Sequence, residues 1–174
     1  MKQILSILFF VCLLTACKGQ TKNADYSKAI IEQAEMMGAF LVKKDFNEFC
    51  KYTYPKIVEM MGGKQKMIEV LENGVKEMQK EGTAFLKVSF GVPSDVITTK
   101  NELQCTMPQT IEMKVPDGRL VSQSTLIAIS TDKGLNWYFV DTSGKDIETM
   151  KKTLPNLSAE LVIPKKTKPL LYAE

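Results

Sequence analysis

The sequence predicts an α+β fold in which helices segregate ahead of an antiparallel sheet. Three observations carry this. From about Ala24 to Lys80 the apolar residues recur at helical spacing. From Thr83 onward the period shortens to two. Between Glu102 and Val115 the apolar residues Leu103, Cys105, Met107, Ile111, Met113 and Val115 keep one parity, while Glu102, Gln104, Thr106, Thr110, Glu112 and Lys114 keep the other. Segregated runs of helix and strand indicate α+β rather than a wound parallel sheet.

The first helix is expected from about Ala24 to Lys43, with Ile30, Ala34, Met37 and Leu41 as its buried stripe. Asp45 is placed to cap a short second helix, with Glu48 three residues on and Phe46, Phe49 and Cys50 forming its apolar face. Pro55 restarts the chain, Ile57–Met61 reads as one more helical piece, and Gly62-Gly63 ends it. A longer helix then spans about Lys64–Lys80 with the stripe Ile68, Leu71, Val75 and Met78, closed by Gly82.

In the first strand Leu86, Val88 and Phe90 alternate with Lys87 and Ser89, and Gly91 and Pro93 break the chain after it. The constant parity of Glu102–Val115 implies a long strand with one face buried and one wet, which bends or meets an edge at Pro108. "VPDGRL" reads as a hairpin turn on Asp117-Gly118. Strands at Leu120–Thr131 and Leu135–Asp141 come next, joined through "TDKGLN", the second carrying Trp137 and Phe139. Ser143 with Asp146 opens a closing helix with the stripe Ile147, Met150 and Leu154, ended by Pro155. Leu161–Ile163 is expected as a last extended piece before a tail in which Lys165, Lys166 and Lys168 alternate with prolines and face solvent. A long bent sheet with one apolar face requires a helix across it, and the N-terminal helices are the only ones large enough.

Composition narrows the chemistry. The chain has no histidine, which removes the usual Ser-His-Asp and Cys-His nucleophilic arrangements and every histidine-ligated metal site. Of the four cysteines only Cys50 and Cys105 follow Cys17, so a chain cleaved before a lipid-bearing Cys17 could not build a four-thiolate site. No metal or cofactor is expected, and any enzyme built from this chain would rely on carboxylates, tyrosines or lysines. The 23 basic and 20 acidic side chains nearly balance, which argues against nucleic acid as a partner.

At the N-terminus, Lys2 precedes an apolar run from Ile4 to Leu14 broken only by Ser6. That length suits a signal peptide and falls short of the roughly 20 residues a membrane-spanning helix needs. Leu14-Thr15-Ala16-Cys17 resembles the lipobox of bacterial lipoproteins, followed here by the polar stretch Lys18–Asn23. The resemblance implies cleavage before Cys17 and lipid on its thiol, with stable anchoring because several acyl chains enter the bilayer. It places the protein in the cell envelope, on the outer membrane in a Gram-negative host.

The order of elements resembles the nuclear transport factor 2-like (cystatin-like) superfamily, a cone of three helices enclosed by a curved sheet. Two stretches carry the likeness: "VKKDFNEFCKYTYPKIVEMMGGKQKMIEVL", and "GLNWYFVD" at the tail of the sheet. The resemblance covers about Ala24 to Leu154 and divides the chain into a signal peptide (1–16), a lipidated tether (17–23), the domain (24–154) and a C-terminal extension (155–174). It also implies that two copies can pair through their sheets. Enzymes of the superfamily keep an aspartate or histidine with a tyrosine inside the cone. Here the odd positions of the long strand, which would face the cone, offer no carboxylate.

Tyr52 and Tyr54 sit where such a cone opens, and Tyr54, Met107, Met113 and Trp137 are the candidate pocket residues. Core packing and solvated hydroxyls are the plainer roles for them. Cys50 and Cys105 fall on core faces as two buried thiols, although an exported compartment permits a disulfide. The methionines, including the adjacent pairs Met36-Met37 and Met60-Met61, read as core filler before any Cu(I) site, because only one of each pair can face inward. Arg119, the only arginine, reads as solvated beside its turn. The expected function is therefore non-catalytic binding by a membrane-anchored domain, either of a small apolar ligand or of another envelope protein. The alternative is a carboxylate-and-tyrosine isomerase or hydrolase drawing on Asp45, Glu59 or Tyr54.

Overall fold

The computed structural model describes residues 18–173, and side chains from 26 onward. Cys17 and the apolar run before it lie outside the described residues. The architecture is α+β: among the described residues, five helices and a six-stranded, wholly antiparallel sheet. The helices are α1 (Lys18–Lys43), α2 (Phe46–Phe49), α3 (Pro55–Met60), α4 (Lys64–Lys80) and α5 (Ile147–Thr153). The strands are β1 (Ala84–Phe90), β2 (Ile97–Thr98), β3 (Leu103–Val115), β4 (Gly118–Ser130), β5 (Tyr138–Asp141) and β6 (Leu170–Ala173). No helix among the described residues is long and apolar enough to cross a membrane.

The helical region keeps close to the sequence pattern. Asp45 caps α2, its carboxylate accepting from the Glu48 N–H at 3.1 Å, and Pro55 occupies the first turn of α3, where its missing N–H costs no intrahelical bond. On α1, Ile30, Ala34 and Met37 are buried. Two details differ. The first helix starts at Lys18 rather than near Ala24, since no proline interrupts the polar stretch and extending an already packed helix costs little. On α4 the first buried residue is Met67, not Ile68, which is only half-buried.

The sheet is built on the β3–β4 hairpin, paired from Leu103–Ser130 to Val115–Gly118. Each long strand is flanked by two short ones: β1 and β2 lie along β3, while β5 and β6 lie along β4. Residues 52–54 extend the β5 edge, the Phe139 N–H donating to Tyr52 O at 2.7 Å and the Tyr54 N–H to Phe139 O at 3.2 Å. Pro108 lies inside the central strand rather than at an edge. Its carbonyl accepts from the Gly91 N–H, so its ring nitrogen faces the gap between β1 and β2, where no ladder donor is required. The β3–β4 turn centres on Pro116 and Asp117, and Gly118, with φ 131°, opens β4.

Further expectations are corrected. In β1 the register slips between Phe85 and Lys87, which leaves Leu86 as the bulged residue, 49 % exposed, while Phe85 takes its place opposite Met113. The long strand is not half wet: Gln104 and Thr106 are buried with the even set. The chain after β5 explains this, because α5 and the loop beyond it cross the other face of the sheet. One cluster (Ile30, Met37, Cys105, Met107, Leu126, Ala128, Trp137, Phe139) joins α1 to one face, and a second (Ile127, Ile129, Val140, Met150, Leu154, Leu157, Leu161) joins the C-terminal segment to the opposite one. Asp146, rather than Ser143, caps α5, accepting from the Thr149 N–H at 2.8 Å; Ser143 adopts φ 54° in the preceding turn. The last strand is Leu170–Ala173 and not Leu161–Ile163. Leu161 is buried in the second cluster without joining a strand, and the exposed lysine-rich stretch leads back to β4. Arg119 is not simply solvated: it pairs with Glu112 and lies over the Tyr172 ring at 4.7 Å, tying β6 to the hairpin.

Candidate functional site

Helices and sheet do not close completely on one another. Between them lies a cavity of about 480 Å³. Met37, Gly38 and Leu41 of α1 form one wall, Met67 and Leu71 of α4 another, and Phe49, Thr53 and Ile57 a third. The floor is the sheet face carrying Val88, Gln109, Ile111, Leu126 and Phe139. Gly38 sets how closely α1 approaches β1, since a Cβ there would stand 2.9 Å from the Phe90 ring and 3.2 Å from Val88 Cβ. The rim holds Asp141, Ser143, Lys145 and Thr153, and the buried Val140 and Met150 complete the lining.

The lining is mainly apolar, and its polar groups have separate circumstances. Asp141 is already engaged, accepting from the Ser143 N–H at 2.6 Å and the Ser124 hydroxyl at 3.1 Å. Lys145 is exposed and forms no ion pair with any described residue. Gln109 is 4 % exposed and belongs to the odd-numbered set of β3, so it shares the cavity face with Met107 and Ile111. That residue is the one sequence reasoning passed over. Its signal was visible: within Leu103, Cys105, Met107, Gln109, Ile111 and Met113 it is the single polar side chain at apolar parity.

None of the four candidate pocket residues lines this cavity. Met107 is wholly buried in the cluster against α1. Met113 is half-buried near the hairpin tip, opposite Phe85 and Leu120. Trp137, 1 % exposed, is held from three sides: its N–H donates to the Gln33 amide oxygen at 2.8 Å, its indole N–H to Gly134 O at 3.1 Å, and the Tyr26 ring meets it edge-on at 5.9 Å. Tyr54 belongs to the opposite cluster and donates to the Glu102 carboxylate at 2.8 Å. Burial, then that hydrogen bond, push its phenol up to about 12. The Glu102 carboxylate in turn accepts from the Gln104 amide at 2.6 Å.

The other named side chains are scattered. Asp45 is committed to its cap and Glu59 is exposed on α3. Neither borders the cavity. Cys50 and Cys105 are buried free thiols, and burial raises both, Cys105 to about 12. Met36 and Met60 point outward at 48 % and 57 % exposure, while Met37 and Met61 turn toward the cavity. Among the described residues no group of three cysteine or carboxylate side chains could hold a metal ion. No protein-family model matches the chain, and no curated protein matches it.

Proposed function

We propose that this protein is an envelope lipoprotein, anchored through lipid on Cys17, whose domain is a cone of the nuclear transport factor 2-like type that holds a small, largely apolar ligand between its helices and its sheet. The cavity carries this proposal: it is large enough for a small organic molecule, walled mainly by aliphatic and aromatic side chains, and open at a polar rim. The lipobox-like Leu14-Thr15-Ala16-Cys17 supports the anchoring, and the arrangement of helices over an antiparallel sheet agrees with the proposed cone. Catalysis by a carboxylate and a tyrosine has weaker support. Tyr54 and Glu102 meet on the far side of the sheet, and the carboxylate at the rim is tied to Ser124 and Ser143.

Native mass spectrometry of the full chain, extracted gently from bacterial membranes, tests the proposal. The expected result is a retained small molecule that is lost from Leu71→Trp, whose indole would project from α4 into the cavity. An empty wild-type chain, or a ligand that survives the tryptophan, would overturn it.

A further inference from the structure

Gln109 poses a question the apolar cavity does not answer. Its side chain makes no hydrogen bond with any described residue, although it is only 4 % exposed. No side-chain nitrogen or oxygen among the described residues is sealed off without a partner. The Gln109 amide must therefore reach accessible space, and the cavity it lines supplies that space; it also borders a shallower groove beneath Pro164–Thr167. Left dry, such an amide would cost about 1–3 kcal/mol, so it depends on whatever occupies the cavity to complete its hydrogen bonds. Leucine would fill the same place among Met107, Ile111 and Leu126.

The surroundings define the character of the missing partner. A glutamine amide both donates and accepts, so its complement is a group able to do the same. Its direct cross-strand neighbours are Phe90 and Ser124, the latter bonded through its hydroxyl to Asp141, and around them the lining is Leu126, Ile111 and Val88, with no cation beside it. A charged head drawn to Gln109 would lose its hydration at a cost of several kcal/mol; an anion would meet no cation there, and the Asp141 carboxylate that could attract a cation is already engaged by Ser124 and Ser143. The two charged residues of the cavity, Asp141 and Lys145, are exposed at the rim and opposite in sign.

From this geometry we infer that the cavity selects uncharged amphiphiles, with an apolar chain or ring beneath α1 and α4 and a carboxamide or hydroxyl head hydrogen-bonded to Gln109. The inference rests on the ligand-holding cavity proposed above and specifies its ligand class. Gln109 is then the residue that determines specificity, while the apolar walls supply affinity.

The test uses the full chain in lipid nanodiscs, with three photoreactive probes of equal chain length: a diazirine-bearing decanamide, decanoate and decane. Crosslinked peptides report occupancy of the cavity. Comparing wild type with Gln109→Leu cancels the partitioning of each probe into lipid. The expected result is a roughly tenfold weaker decanamide occupancy in Gln109→Leu, the worth of one well-made hydrogen bond, with decane unchanged or improved. Decanoate should label wild type less than decanamide does. Equal decanamide binding by the two proteins, or a preference for decanoate, would overturn the inference while leaving the cavity a binding site. If none of the probes reaches the cavity, both fail. Circular dichroism checks folding, and Gln109→Met replaces Gln109→Leu if the latter unfolds.

Discussion

Replacing Gln104 by leucine should detach the C-terminal segment from the sheet before anything else gives way. Gln104 is wholly buried on β3, on the face away from the cavity. Its amide donates to Asn156 O at 3.1 Å and to the Glu102 carboxylate at 2.6 Å, and its oxygen accepts from the Ser158 N–H at 2.8 Å. Leucine fits the volume and removes all three bonds. Each stranded partner costs about 1–3 kcal/mol if it stays dry. Asn156 is exposed and Ser158 half-buried, so water can recover part of this. The net loss is about 2–4 kcal/mol, which for a chain of this size lowers Tm by roughly 5–15 °C. Chemical denaturation gives the total, and hydrogen exchange locates it: the Ser158 amide should lose protection while the Trp137 amide, held by Gln33, keeps it. A loss under about 1 kcal/mol, or unchanged exchange at Ser158, would refute the claim that this one side chain pins the segment.

Other consequences can be checked directly. Gly134→Ala should cost about 2 kcal/mol or more, because a methyl group there would overlap the Tyr26 ring at φ 92°, a backbone angle that alanine rarely adopts; red-shifted Trp137 fluorescence is the accompanying readout. The Tyr54 phenol should titrate near pH 12 in tyrosinate absorbance. Because the folded protein holds that proton after the unfolded chain begins to release it near pH 10, stability should fall between about pH 10 and 12, and Tyr54→Phe should flatten that slope. Neither Cys50 nor Cys105 should react with a thiol reagent at mildly alkaline pH until the protein is unfolded, since both are buried and burial suppresses the thiolate. Cys17→Ser should abolish metabolic labelling with a fatty-acid probe and release the protein from the membrane fraction; persistent labelling would refute lipid attachment at that thiol.

Much of the fold was legible because local patterns and packing agree. The Asp45 cap, Pro55 at a helix start and the parity of the long strand each name their own environment. What the pattern could not reveal depends on residues far away in the chain. Gln104 and Thr106 read as wet because polar side chains usually are; Gln104 is buried because a segment far along the chain crosses it and supplies its hydrogen bonds, and Thr106 is bonded to Ser94 in the loop after β1. Strict alternation points Leu86 inward, but the strand carries a bulge that only pairing with β3 defines. The cavity is harder still to read. A residue that lines an empty space and one that fills a core are both apolar, so Met107 and Trp137 looked no different from Leu126 and Ile111. Gln109 was the one departure from pattern, and it marks the cavity floor.

Val140 and Met150 belong to the cluster under the C-terminal segment and also border the cavity. The segment that covers one side of the sheet is thus a wall of the compartment on the other side. Any molecule in that compartment has its full set of neighbours only while the segment is seated. Occupancy and seating then favour one another by the same free energy, as thermodynamic reciprocity demands. Loosening the segment at Gln104, on the opposite face of the sheet, should weaken whatever the cavity holds, and filling the cavity should slow the segment's release.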